Sequence, residues 1–197
     1  MVLPQDFQNF IKTFKERNDP MTSIFVGHGN PMNAIEQNSF TQGWMNMVSR
    51  LYTPSAIVVI SAHWLTKGTF VTAMEHPPTI HDFGGFPTQL YDVYYPAIGS
   101  PVLCDFIQHE VKYTDIALDY DWGLDHGTWS VLKHMYPGAN IPVIQLSIDY
   151  TKSFQYHYEL AQEVSTLRKR GVLIIASGNI VHNLRKMDLF NPNRTAH

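Results

Sequence analysis

Apolar positions along this chain follow two periods. Short, almost unbroken apolar runs predict strands over 23–27, 56–62, 69–74, 142–148 and 172–177. The run over 56–62 is apolar on both faces, as in a parallel sheet covered by helices on each side. Between these runs, apolar residues return every three or four positions. They predict helices over 4–17, 39–52, 100–112 and 153–170, and a short one that ends at Met135. Ser39 is the expected N-cap of the second helix, with Trp44, Met47, Val48 and Leu51 on one face. Phe154, Tyr158, Ala161, Val164 and Leu167 are the expected inward face of the last helix, and Gly171 its C-terminal stop. Residues 75–99 are rich in Pro, Gly and aromatics and read as a long loop, which in a compact domain is a place for function. Helices alternating with strands give an α/β class, with a mainly parallel central sheet and helices on both faces.

Composition narrows the function. With 197 residues, 44% hydrophobic and 16% charged, the chain fits one globular domain. The net charge of −3 comes with scattered lysines and arginines, so neither nucleic acid nor a membrane surface is an expected partner. No apolar run reaches the length of a membrane span. A single cysteine, Cys104, excludes an internal disulfide and fits a reducing, cytoplasmic setting; no leader-like N-terminus is read. The unusual figure is ten histidines, which directs attention to metal or proton chemistry.

Three of those histidines follow apolar runs. "SIFVGHG" reaches His28, "IVVISAHW" reaches His63 and "VLIIASGNIVHN" reaches His182. In open α/β sheets, ligands bind beyond the carboxyl ends of the strands. Neutral imidazoles converging there would suit zinc or ferrous iron. His81 in "IHDFGGFP" and His126 in "LDHGTW" each adjoin an aspartate, which could fix a tautomer and tune an acid or base; a surface turn is the alternative for either. The remaining histidines are expected at surface or helix positions.

Taken together, "GHGNPM", "SAHW", "PPTIHDFGGFP", "YYPAIGSP", "WGLDHGTW", "PVIQLSID" and "ASGNIVHNL" resemble, in this order, the 4,5-DOPA extradiol dioxygenase family. These are class III extradiol ring-cleavage enzymes, related to the catalytic subunit of protocatechuate 4,5-dioxygenase. The resemblance runs from about Ser23 to Leu184. It implies a metal held by His28, His63 and His182, with His182 alternatively the catalytic base and His126 close to the substrate. It implies Fe(II) as the working cofactor, with Zn(II) able to occupy the site on isolation, and a catechol-type molecule and dioxygen as the reactants. Members of the family also carry a C-terminal segment with a further ligand. On that comparison, residues 1–197 are expected to form a single catalytic domain lacking it. Two other functions stand beside ring cleavage: an inactive, truncated metal-binding homologue and a zinc-dependent hydrolase.

Overall fold

A computed structural model describes Gln8 and residues 12–180. Half of the expected helix over 4–17 lies outside the described residues; Lys12 and Thr13 are helical, and the helix ends there, short of the expected 17. In chain order the elements are β1 (Ser23–Val26), α1 (Ser39–Val48), β2 (Ala56–Ser61), β3 (Leu65–Thr66), β4 (Thr69–Thr72), α2 (Thr88–Tyr91), α3 (Pro101–Glu110), β5 (Ile116–Asp119), α4 (His126–Met135), β6 (Val143–Gln145), β7 (Ile148–Asp149), α5 (Phe154–Val164) and β8 (Val172–Ser177). Short 3-10 segments lie at Pro31–Ala34 and Ser165–Arg170. No helix among the described residues is long and apolar enough to cross a membrane.

The central sheet has the order β1-β8-β2-β6, and all its pairings are parallel. Its strands are apolar on both sides because both sides are covered. Ile24, Val26, Ile57, Val59, Val143, Leu173 and Ile175 form one layer with Trp44 and Val48 of α1 and Trp129 and Leu132 of α4. Ala56, Val58, Ile144 and Val172 form the other with Leu103, Phe106 and Ile107 of α3 and Leu160 and Val164 of α5. Odd and even positions of β2 thus serve different cores, as a two-residue repeat requires. Two parallel pairs, β3-β7 and β4-β5, extend the structure beside the sheet.

The structure corrects several sequence expectations. The cap of α1 is Asn38, not Ser39. The Asn38 side chain accepts from the N–H groups of Phe40 and Thr41, while the Thr41 hydroxyl accepts from the Asn38 N–H. This reciprocal pair satisfies donors that the first helical turn leaves open. The helix then stops at Val48, and Met47 faces solvent. In α5, Phe154, Tyr158 and Ala161 point outward, with Phe154 96% exposed. The inward stripe is Tyr156, Leu160 and Val164. The Tyr156 hydroxyl bonds Thr69 and Thr114 at 2.7 and 2.9 Å, which fixes the rotation of the helix. Both stripes have helical spacing, so periodicity alone did not separate them. The helix also tightens into a 3-10 turn after Val164 before Gly171 reverses the chain at φ +75°. The strand expected over 142–148 divides into β6 and β7, which belong to different sheets.

The loop over 75–99 contains α2 and is stapled along its length. Ile80 N–H donates to Leu124 O, Leu124 N–H to Pro78 O and Gly99 N–H to Glu75 O. Gly99 is obligatory, because a Cβ there would lie 2.0 Å from Met74 O. The Trp129 indole N–H donates to Ile80 O at 2.8 Å, and the Tyr95 hydroxyl to Tyr136 O at 3.0 Å.

Cys104 is fully buried in α3, its thiol donating to Thr72 O at 3.1 Å. Burial, with a smaller contribution from the Asp105 charge, pushes this thiol up to about 12. At pH 8 it is expected to react with a chromogenic disulfide reagent roughly three orders of magnitude more slowly than a thiol of ordinary pKa. Equal labelling rates in buffer and in urea would show instead that the α3 packing is open.

Candidate metal centre

β8 lies between β1 and β2, and its last residue, Ser177, stands on the same rung as Val26 of β1 and Ser61 of β2. His28 and His63 each follow that rung by two residues. They therefore flank the end of β8 and turn toward one another. Nε2 of His28 lies 3.1 Å from Nε2 of His63. His126, the first residue of α4, closes the group, its ring centroid 3.9 Å from that of His63 and 5.6 Å from that of His28. One nitrogen from each of His28, His63 and His126 falls within 4.8 Å of the others. His28 and His126 are buried and His63 is partly exposed, so the group is open on one side.

Hydrogen bonds decide which nitrogens face inward. The Ser177 hydroxyl sits 2.9 Å from Nδ1 of His28 and 2.5 Å from Gly127 O. A carbonyl oxygen only accepts, so the single hydroxyl hydrogen goes to Gly127 and Ser177 accepts from Nδ1–H of His28. Nε2 of His28 then carries a lone pair. Oδ1 of Asp82 lies 2.9 Å from Nδ1 of His126 and accepts the His126 backbone N–H at 2.8 Å. Its other oxygen lies 3.5 Å from Nδ1 of His63. Burial raises the Asp82 pKa, but the bonds from the His126 ring and backbone and the His126 charge outweigh it and hold the carboxyl below its usual value. A carboxylate accepts only, so Nδ1 is the protonated nitrogen of His126 and Nε2 the one turned to the group.

At 3.1 Å the two Nε2 atoms either share one proton, with His63 donating to the His28 lone pair, or hold a cation between them. Nitrogen ligands on adjacent sites of a divalent ion, with bonds of about 2.1 Å, are about 3 Å apart. The donor set, its spacing and its tautomers therefore fit a borderline metal such as zinc or ferrous iron.

The surroundings are built for close packing. A Cβ on Gly127 would lie 2.5 Å from the Ser61 hydroxyl and 3.0 Å from Cδ2 of His63, so glycine lets the start of α4 press against the strand ends. Asp125 caps α4 by accepting the Thr128 N–H at 3.0 Å and exchanges two bonds with the Gln145 amide. Burial pushes its carboxyl up, offset in part by the bonds from Gln145 and Ser61. Asn33 donates to His28 O at 3.0 Å and accepts from Asn38 at 2.8 Å, which ties the "GHGN" turn to the cap of α1. Phe83 meets the His126 ring edge-on at 5.5 Å, and Phe86 and Tyr91 continue this aromatic wall.

The structure thus brings His28, His63 and His126 together, while His182 lies outside the described residues. His81 stands apart from the group and donates from Nε2 to Val93 O at 3.1 Å. Sequence reading missed Asp82 as the shared acceptor. The aspartate adjoining His126 in sequence, Asp125, is occupied as a helix cap, and the one adjoining His81 serves His126 and His63 instead. The signal was the "HD" pair within a glycine-rich loop, but not which histidine it would reach.

Residues 20–196 match the protein family described as the catalytic LigB subunit of aromatic ring-opening dioxygenase. The chain is 52% identical over 166 residues to 4,5-DOPA dioxygenase extradiol of Escherichia coli K12, covering 84% of this chain and 61% of that protein. It is 41% identical over 167 residues to the protein of the same name from Beta vulgaris, covering 81% and 62%. Among solved structures it resembles the crystal structure of the uncharacterized protein JW3007 from E. coli K12, with a TM-score of 0.73 and 44% identity over 86% of this chain and 64% of that one. The chain therefore spans less than two thirds of the length of these relatives. With the matched region running through β1, the strand ends and the "DHG" turn, this chain belongs to the LigB family of aromatic ring-opening dioxygenase catalytic subunits.

Proposed function

We propose that this chain acts in metal-dependent extradiol cleavage of a catechol-type substrate by dioxygen. The observation that carries the reading is the inward convergence of His28, His63 and His126 at the strand ends, in a chain of a ring-opening family. His28 and His63 would hold Fe(II), and His182 is assigned with them as a further ligand or as a base. Ferrous iron, when bound, supplies the redox capacity for reaction with dioxygen, which zinc lacks.

The protein's own groups do the rest. His126, with Nδ1–H on Asp82, presents a basic Nε2 to a catechol hydroxyl and takes its proton. The Asp82 carboxylate then stabilises the imidazolium, as the acid does beside histidine in hydrolytic triads. Phe83 and its aromatic neighbours offer a flat apolar wall that orients a planar ring and excludes water.

The test is anaerobic loading with ferrous ion, then oxygen uptake and product absorbance against a panel of catechols. The expected result is stoichiometric oxygen uptake with a coloured ring-opened product from at least one catechol. Iron-loaded protein that consumes no oxygen with any of them would overturn the reading, and ester hydrolysis by the zinc form without oxygen would replace it.

A further inference from the structure

We propose that Asp82 is a positioning residue that sets His63 and His126 together, holding both rings in the Nδ1–H tautomer so that both Nε2 atoms face the same point. This rests on the reading of those imidazoles as the working groups of the centre.

The geometry is one carboxylate on three donors. Oδ1 takes the ring and the backbone N–H of His126, and Oδ2 faces Nδ1 of His63. A carboxylate has about four lone-pair positions, so all three donors can be served at once. The other carboxylate near the group, the buried Asp125, is committed to Thr128 and Gln145. His28 is held separately, by Ser177. The centre is therefore oriented by two independent devices, a serine on the sheet and an aspartate on the 75–99 loop. Because Phe83 follows Asp82 directly, the same bonds tie the aromatic wall to the imidazoles. Partners at this distance from a metal typically change affinity by roughly 10- to 100-fold.

Asp82→Asn makes the proposal testable, because an amide offers one acceptor oxygen and one NH2 group. In one orientation it keeps the His126 bonds and points a donor at Nδ1 of His63. In the other it keeps the His63 contact and points a donor at His126. Either way one of the two rings must move its proton to Nε2, while His28 does not. Long-range 1H–15N correlation spectra of the zinc-loaded protein, in which a cation stands between the facing Nε2 atoms, read the three tautomers directly. Titration with cobaltous ion alone reads the affinity.

The expected result is Nδ1–H on His28, His63 and His126 in the wild type. In Asp82→Asn, either His63 or His126 converts to Nε2–H, His28 is unchanged and cobalt affinity is roughly 10- to 100-fold weaker. Unchanged tautomers in folded Asp82→Asn overturn the proposal, even if affinity falls, because the effect is then general loosening. A tautomer change with unchanged affinity overturns it too. If Asp82→Asn does not fold, the wild-type spectrum decides: Nδ1–H on both rings supports the proposal, and Nε2–H on either overturns it. Neither readout uses dioxygen or a catechol, so failure here is distinct from failure of ring cleavage.

Discussion

His63→Ala is expected to yield a folded protein that no longer retains stoichiometric metal. The His63 side chain keeps 27% of its exposure, so its truncation removes little packing and leaves no large cavity. What it does remove is an inward-facing imidazole nitrogen 3.1 Å from that of His28. Four-ligand structural zinc sites bind with about 10–16 kcal/mol. Shared evenly, one ligand is worth about 2.5–4 kcal/mol, or roughly two to three orders of magnitude in affinity. His28→Ala is expected to lose metal equally but to cost more stability. His28 is only 2% exposed and its loss leaves the buried Ser177 hydroxyl with an unused lone pair. Metal content after dialysis, affinity by chelator competition and far-UV circular dichroism separate the two effects. Full metal occupancy in folded His63→Ala would remove His63 from the centre.

What the sequence made legible, and what it did not, follows from the range of the forces involved. The parallel sheet was readable because burial on two faces demands unbroken apolar runs, and β2 and β8 are such runs. His28 and His63 were readable because strand ends in a parallel sheet collect on one side. The rung shared by Val26, Ser177 and Ser61 turned that tendency into a contact. Other features depended on partners distant in sequence. Asp82 meets His126 across 44 positions, and no local rule distinguishes it from Asp125, which lies next to His126. The first turns of α5 were misread for the same reason, since the choice between the two stripes is made there by Thr69 and Thr114 outside the helix, whereas Val164 and Leu167 are buried as expected. Strand β3 has too few residues for a period to register, and β5, though as long as β1, buries only its first residue fully. His182 was singled out by sequence, but it lies outside the described residues.

The second large effect is expected at Trp129, one turn along α4 from His126. This side chain is fully buried in α4, packs in the core against the sheet, and meets His81 and Phe83 at ring distances of 5.4 and 6.1 Å. Its indole N–H holds the carbonyl of Ile80, two residues before Asp82. Trp129→Ala is expected to cost about 3–5 kcal/mol for the lost packing and cavity. The stranded Ile80 carbonyl adds about 1–3 kcal/mol where water does not reach it. Against a typical stability of about 5–15 kcal/mol, that removes a large share of the fold's reserve. Trp129→Phe shifts the balance between the two contributions, because it loses the N–H but only part of the apolar volume. Urea unfolding should therefore place Trp129→Phe between the wild type and Trp129→Ala. Cobalt affinity should fall in Trp129→Phe while the protein is still folded, since a loosened Ile80 frees the segment that carries Asp82. If Trp129→Ala unfolds within about 1 kcal/mol of the wild type, below the range for core truncations, the indole is not the staple that joins loop to core. If Trp129→Phe is destabilised but binds cobalt as the wild type does, the loop holds Asp82 without it, and Asp82 is anchored by its bonds to His126 alone.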